Sequence, residues 1–176
     1  NAYCQDNAIG WIDWTQRDTP EGKALLDFTS RLIALRREHE LLRAPAFLYA
    51  DKLPGTEIND LEWWDEQGRQ LSSDDWNNPE GRALVMRRAR QLEDGRIEAM
   101  TLLLNASGDA ITFHLPPPDV ARTVLVDSAR PEETAFEIGN EYELGPQSAA
   151  LIRWVADIAE PEAPAETEAA PEEQSA

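Results

Sequence analysis

The first regular pattern along the chain is helical and begins at Thr19. Apolar residues then recur at steps of three and four positions, which places them on one face of an α-helix: Leu25, Phe28, Leu32 and Leu35. Thr19 and Pro20 are typical of a helix start, and Pro45 ends the run. The pattern therefore predicts one amphipathic helix over residues 20–43, whose apolar face needs a partner surface.

After Pro45 the pattern changes to short apolar runs separated by turn residues. These runs predict strands over 46–50, 57–64, 82–88, 96–105, 110–115, 122–127, 135–143 and 147–155. Within 96–105, Met100, Leu102 and Leu104 alternate with Thr101 and Leu103, so this run is apolar on both faces and is typical of a central strand. About eight strands without a long helix between them indicate an antiparallel sandwich or barrel.

Composition narrows the class of protein. A chain of 176 residues with 41% hydrophobic residues can bury one good core. Its formal net charge of -18 repels nucleic acids and anionic lipid surfaces, so we expect neither as a partner. No run approaches the roughly 18 apolar residues needed to cross a membrane, and no signal peptide is recognisable, which makes a cytoplasmic location the default expectation. Cys4 is the only cysteine and is expected to be a free thiol.

The last twenty residues, 157–176, differ from the rest in composition. They carry seven carboxylates, three prolines and no lysine or arginine. Such a segment offers too little apolar surface to offset the entropy cost of ordering it. We therefore expect a disordered acidic tail that aids solubility.

The sequence gives no sign of a metal, nucleotide or other cofactor site. His39 and His114 lack the spacing of a metal pair or a catalytic triad, and no glycine-rich phosphate loop occurs. The adjacent pairs Asp74-Asp75 and Glu132-Glu133 are expected by chance in so acidic a chain. We interpret them as solvated surface and assign no catalytic residue.

Six tryptophans are many for this length: Trp11, Trp14, Trp63, Trp64, Trp76 and Trp154. Indole faces stack on the C–H face of a pyranose ring, which makes exposed tryptophans candidate sugar platforms. Trp63 and Trp64 are neighbours in a predicted strand, so if one faces the core the other faces outward. For each tryptophan, packing in the core or between domains is the alternative interpretation.

The opening run is the best candidate binding site. Tyr3, Gln5, Asp6 and Asn7 offer hydroxyl, amide and carboxylate groups in a row, which is the chemistry that binds sugar hydroxyls. A polar loop held by its own hydrogen bonds would have the same composition. The residues alone favour neither interpretation.

Longer stretches resemble a known family. The run NAYCQDN at residues 1–7, followed by Trp11-Ile12-Asp13-Trp14, resembles the loop after the last barrel strand in bacterial glycogen debranching enzymes of the isoamylase type, within the alpha-amylase superfamily. The segment LLDFTSRLIALRREHELLR is similar to that family's final barrel helix. NDLEWWDEQGRQLSSDDWNNPEGRALVM is similar to the start of its C-terminal β domain, and the resemblance extends to about residue 156.

This resemblance implies a (β/α)8 barrel that hydrolyses α-1,6 branch linkages of glycogen-type glucans by a retaining mechanism. In the family the three catalytic carboxylates lie on earlier barrel strands, so none can be assigned to a residue of this chain. Ala8 and Gly10 stand where the family has an acidic residue and a serine, which affects the substrate contacts expected of the loop.

The expected fold is thus mainly β: an antiparallel β-sandwich preceded by the last loop and helix of an otherwise absent (β/α)8 barrel. Predicted domains are 1–44 (loop and final barrel helix), 45–156 (C-terminal β-sandwich) and 157–176 (tail). The leading hypothesis is a fragment of a glycogen debranching enzyme, inactive in isolation, whose partners are glycogen-type α-glucan and the missing catalytic barrel. The alternatives are a stand-alone glucan-binding module and a truncated product without a function.

Overall fold

Antiparallel sheets hold most of the regular secondary structure in the described residues, and one α-helix precedes them. The computed structural model describes residues 6–133 and 135–158. Packing divides the chain into two units, Asn1–Phe47 and Leu48–Ala176. The expected mainly β class with antiparallel sheets and one helix is confirmed. The predicted domain boundaries stay predictions, and the acidic tail from residue 159 onward lies outside the described residues.

The first unit is built around the helix α1 (Pro20–Glu38). Thr19 caps its start, because the Thr19 Oγ1 accepts a hydrogen bond from the Gly22 amide at 3.0 Å. Pro20 occupies the first helical position, where an amide hydrogen would have no partner in the helix. Short 3-10 helices flank α1 at Trp14–Asp18 and Glu40–Arg43.

The predicted helix over 20–43 is too long, because α1 ends at Glu38. His39, placed on the helix by the sequence pattern, instead follows it with an extended backbone (φ -108°, ψ 115°). The Arg36 guanidinium donates a hydrogen bond to the Leu42 carbonyl at 2.6 Å. This contact stabilises a separate 3-10 turn beyond His39 in place of further α-helix.

The apolar face of α1 is accessible to solvent. Leu25 is 67% exposed and Leu32 is 41% exposed, while Phe28 and Leu35 are half-buried. No residue of the helix is buried. The predicted amphipathic stripe is therefore present, and it offers apolar surface for packing.

The second unit contains eight strands in two antiparallel sheets. The strands are β1 (Leu61–Trp64), β2 (Ala83–Gln91), β3 (Ile97–Asn105), β4 (Ile111–His114), β5 (Arg122–Asp127), β6 (Phe136–Ile138), β7 (Glu141–Leu144) and β8 (Ser148–Ala156). Six of them form one sheet in the order β1-β2-β3-β8-β5-β6, and β4 pairs with β7 in the other. The predicted central position of 96–105 is confirmed, since β3 lies between β2 and β8.

The two sheets share one apolar core. Val85 and Leu103 from the large sheet pack with Phe113 and Leu144 from the small one, and all four are fully buried. A second cluster lies toward the other end of β3, where Ile97, Ala99 and Trp154 pack with Ile58. Burial between facing sheets is the arrangement of a β-sandwich.

One strand prediction is wrong and two are wrong in part. Residues 46–50 form no strand, and Ala50 has a left-handed backbone (φ 61°) that interrupts extended structure. Only Leu61–Trp64 of the predicted 57–64 joins the sheet; Asn59 forms an isolated bridge with Lys52. The predicted strand 135–143 is two strands, because the chain turns at Gly139-Asn140 and sends β6 and β7 to different sheets.

Candidate functional site

The opening loop is described from Asp6 onward. The Asp6 Oδ1 accepts a hydrogen bond from the Trp11 indole Nε1 at 2.6 Å. The Asn7 Oδ1 accepts one from the Ile9 amide at 3.0 Å, and the Asn7 carbonyl accepts from the amides of Gly10 and Trp11. Two of the four predicted site residues, Asp6 and Asn7, thus form hydrogen bonds within the loop.

The other two predicted residues, Tyr3 and Gln5, lie outside the described residues. Asp6 is exposed and Asn7 is half-buried, so the internal hydrogen bonds leave polar surface accessible at Asp6. The loop has features of both interpretations that the sequence left open. It is held by its own hydrogen bonds, and it still presents a carboxylate to solvent.

Asp13, just after the loop, is a turn residue. Its Oδ1 accepts hydrogen bonds from the Thr15 hydroxyl at 2.6 Å and the Thr15 backbone amide at 3.0 Å. Its Oδ2 accepts one from the Gln16 side-chain Nε2 at 3.1 Å. The hydrogen bonds from Thr15 and Gln16 lower the pKa of Asp13. The carboxylate therefore stays ionised and caps the 3-10 helix that leads into α1.

A second candidate site lies in the long connection from β1 to β2, which contains Trp76 and several charged side chains. The turn after β1 is set by Asp65, whose Oδ1 accepts hydrogen bonds from the amides of Gln67 (3.0 Å) and Arg69 (2.8 Å). Gly68 has φ +73°, and a Cβ there would lie 2.9 Å from the His114 carbonyl oxygen. Only glycine fits this turn without strain.

Arg69 and Asp75 form a two-pronged ion pair in this connection. The Arg69 Nη1 and Nη2 each donate to one oxygen of Asp75 at 2.9 Å, and Nη2 also lies 2.9 Å from the Asp65 Oδ2. The Ser72 amide and hydroxyl donate to the Asp75 Oδ2 at 2.7 and 2.6 Å. The hydrogen bond from Arg69 lowers the pKa of Asp75 strongly, so the pair stays charged throughout the usual pH range.

Trp76 follows the ion pair directly. Its ring meets the Trp63 ring edge to face, with centroids 5.3 Å apart and planes at 78°. Trp76 is still 54% exposed. The predicted alternation of the tryptophan pair in β1 is confirmed, because Trp64 packs against the main core while Trp63 contacts Trp76.

An open cleft of about 590 Å³ adjoins Trp76. Its lining includes apolar surface and charged side chains. The apolar residues include Leu104 and Ile111, and the charged ones include Arg69, Asp75, Glu80 and Arg82. Its volume is within the range of small-ligand sites. Trp76 was among the tryptophans that the sequence nominated as candidate sugar platforms. Asp75, interpreted from the sequence as solvated surface, is instead bound to Arg69.

Of the two histidines considered from the sequence, His114 has a structural partner. The His114 Nδ1 lies 3.2 Å from the Glu141 Oε1 on the small sheet. Within residues 6–133 and 135–158, no group of three His, Cys, Asp or Glu side chains is placed to hold a metal ion. None of the helices in those ranges is long and apolar enough to cross a membrane.

Comparison with solved structures defines the class of the fold. The chain superposes on a type I pullulanase from Bacillus subtilis str. 168, solved in complex with maltose, with a TM-score of 0.52 and 17% identity. The match covers 84% of this chain and 18% of the pullulanase chain. The chain therefore has the fold of one part of a pullulanase. None of the protein-family models searched matches it.

Comparison with curated sequences gives the more specific relationship. The glycogen debranching enzyme of Dickeya chrysanthemi is 34% identical over 134 residues, which is 72% of this chain and 18% of that enzyme. The enzyme of the same name from Erwinia tasmaniensis is 36% identical over 117 residues, 66% of this chain and 15% of that enzyme. The resemblance found in the sequence is thus confirmed: the chain is a homologue of bacterial glycogen debranching enzymes and spans less than a fifth of their length.

Proposed function

We propose that this chain is the C-terminal portion of a glycogen debranching enzyme that hydrolyses α-1,6-glucosidic branch linkages in glycogen. The observation that carries the proposal is the match of most of the chain, at 34% identity, to less than a fifth of the Dickeya chrysanthemi enzyme. The portion consists of the loop and helix of residues 1–44 and the sandwich of 45–156. In this proposal the catalytic carboxylates belong to another part of the enzyme.

The exposed face of α1 supports a missing partner. Leu25 and Leu32 together offer apolar surface that an isolated helix would leave in water. A final barrel helix would pack this face against the barrel. We therefore propose that the catalytic barrel of the same enzyme is the partner of α1.

The ion pair in the cleft at Trp76 is unsuited to the acid role of a glycosidase. A retaining glycosidase needs one carboxylic acid with a raised pKa beside a nucleophilic carboxylate. Asp65 and Asp75 instead share the Arg69 guanidinium, and the pKa of Asp75 is strongly lowered. The Asp75 carboxylate therefore cannot supply the proton that the leaving oxygen requires near neutral pH.

The opening loop is proposed to contact the substrate. Tyr3, Gln5, Asp6 and Asn7 carry the hydrogen-bonding groups, and the Trp11 indole orients the Asp6 carboxylate. An oriented carboxylate can accept hydrogen bonds from two neighbouring sugar hydroxyls. The loop would thus position the glucan while the barrel supplies the reacting groups.

A chimeric enzyme tests the proposal. This chain replaces the matching segment of the Dickeya chrysanthemi enzyme, and debranching is measured as reducing ends released from a short branched maltosaccharide. We expect activity from the chimera and none from the isolated chain. Activity in the isolated chain, or a chimera that folds with an intact active site and remains inactive, would contradict the proposal.

The loop is tested in the same chimera with Asp6→Ala and, as a matched control, Asp18→Ala, which removes an exposed carboxylate outside the loop. Loss of a charged hydrogen bond to substrate should lower kcat/KM about tenfold in Asp6→Ala only. Equal kcat/KM in the two variants would remove the loop from the substrate site.

The alternative function is a stand-alone glucan-binding β-sandwich. The exposed Trp76 beside a polar cleft is the observation that favours it. In both proposals the chain binds glucan. They differ in whether the chain also belongs to an enzyme with a catalytic barrel. The chimera separates them, because a binding module alone would not restore debranching.

A further inference from the structure

The connection between β1 and β2 combines an exposed aromatic ring with polar groups held in fixed positions. Trp76 is half exposed, and Trp63 contacts it edge to face at 5.3 Å. Asp75, its neighbour in the chain, is held by Arg69 and Ser72. The ring and the ion pair therefore have a defined spatial relation before any ligand arrives, which lowers the entropy cost of binding.

The charge of the cleft indicates the kind of ligand. Arg69 is neutralised by Asp75 and Asp65, and Arg82 lies 3.8 Å from the Glu80 carboxylate. The lining as a whole carries four carboxylates, from Asp65, Glu66, Asp75 and Glu80, and two guanidinium groups, so it presents donors and acceptors together with an excess of negative charge. Neutral polyhydroxyl molecules suit such a surface better than phosphates do.

The apolar part of the cleft fits the same ligand. A hexose has one C–H-rich face that stacks on an indole ring and a rim of hydroxyls that bind charged groups. Trp76 supplies the ring, and the Arg69 side chain, 58% exposed, and the Asp75 carboxylate supply polar contacts beside it. The cleft of about 590 Å³ is large enough for a short oligosaccharide.

We infer that this cleft, with Trp76 as its stacking surface and the Arg69–Asp75 pair as its polar contact, is a glucan-binding site separate from the opening loop. The choice of an α-glucan over other sugars rests on the proposed function. In this inference the site holds the polymer and performs no bond cleavage, and two of its carboxylates, Asp65 and Asp75, are held by Arg69.

Affinity electrophoresis of the whole chain in gels containing glycogen tests the inference. We expect retardation of the unaltered chain, and we expect Trp76→Ala to weaken the apparent affinity about tenfold through loss of the stacking surface. Trp76→Phe, which keeps an aromatic ring, should restore most of the retardation. Tyr49→Ala is the matched control, because Tyr49 is a 74% exposed aromatic residue of the same unit that does not line the cleft.

Each outcome decides the inference. Retardation that Trp76→Ala weakens and Tyr49→Ala leaves intact supports the site, provided that the two variants share the melting temperature of the unaltered chain. Absence of retardation, or equal retardation in all variants, overturns it. A Trp76→Ala variant that fails to fold is replaced by Trp76→Phe with Arg69→Gln, where unchanged retardation would again overturn it.

The proposed function and the cleft site can be tested independently of each other. The chimera described above is assayed on a short branched maltosaccharide, so its activity requires no distant holding site. An active chimera with no glycogen retardation of the chain retains the proposed function and removes the cleft site. Retardation together with an inactive chimera does the reverse and favours a binding module.

Discussion

The two units of this chain use their apolar residues in opposite ways. In the second unit, Leu103 of β3 is fully buried between two sheets, whereas Leu25 of α1 in the first unit is 67% exposed. Both residues belong to regular hydrophobic patterns in the sequence. The difference shows that a pattern specifies which face is apolar, while burial depends on whether a partner element covers that face.

The largest expected effect is on the sandwich core. Leu103→Ala should lower the free energy of unfolding by about 2–5 kcal/mol, because it removes a fully buried side chain and leaves a cavity. Leu25→Ala in α1 should change it by less than about 0.5 kcal/mol. Urea denaturation followed by near-ultraviolet circular dichroism measures both. A similar loss for the two variants would break the comparison between the units.

A buried charge in the sandwich gives the next largest effect. Glu98 of β3 is 4% exposed in its side chain and accepts hydrogen bonds at 2.8 Å from Arg90 of β2 and Arg153 of β8. Glu98→Gln should cost about 1.5–3 kcal/mol, because two guanidinium groups lose their charged partner. Thermal unfolding of the variant against the unaltered chain at neutral pH checks this value.

The same carboxylate predicts an acid dependence. Burial alone would raise the pKa of Glu98, but the hydrogen bonds from Arg153 and Arg90 outweigh it, so the pKa lies below its ordinary value of 4.5. Its stabilising contribution is therefore present above about pH 4.5 and is lost as the pH falls through the lowered pKa. Stability curves between pH 7 and pH 3 should be flatter for Glu98→Gln. Parallel curves would contradict this assignment.

Gly22 gives a smaller effect in the first unit. A Cβ at this position would lie 1.9 Å from the Gln16 carbonyl oxygen, so Gly22→Ala must displace the start of α1 or the preceding turn. An alanine within a helix is normally favourable by about 1 kcal/mol, yet here we expect a loss of about 1–2 kcal/mol. Hydrogen exchange of the α1 amides measures it. Gly108→Ala is the control, because nothing lies within 4 Å of its Cβ position.

The smallest effect on stability is expected on the exposed helix face. Leu25→Lys should leave the unfolding free energy within about 0.5 kcal/mol and should reduce the binding of a hydrophobic dye and the concentration-dependent association of the chain. Ala34→Lys adds the same charge about 180° around the helix and should leave both unchanged. Equal dye binding in the two variants would show that the Leu25 face is not the accessible apolar surface.

Much of the secondary structure was predictable because it depends on local patterns. Thr19 and Pro20 fixed the start of α1, and the run around Leu103, which is apolar on both faces, identified the central strand. The helix end was missed because it depends on the Arg36 hydrogen bond to Leu42, which no periodicity reveals. The split of 135–143 was missed because apolar alternation continues across Gly139 while the strands separate to two sheets.

The two candidate sites likewise differ in how far local sequence patterns predicted them. Asp6 and Asn7 could be nominated from residue type alone, since polar groups cluster there in sequence. The cleft could not, because Arg69, Asp75 and Trp76 become a site only when the turn at Gly68 brings the guanidinium to the carboxylate. The sequence signal for the cleft was the unusual number of tryptophans, one of which is Trp76.

By itself the sequence determined the class of fold, the amphipathic helix, the acidic charge and the kinship with glycogen debranching enzymes, because these follow from composition, period and residue identity. Only the tertiary structure decided which apolar faces are buried, which carboxylates are bound to arginine and which tryptophans remain exposed to solvent. Those properties depend on contacts between residues far apart in the chain, and such contacts form only when the sheets pack.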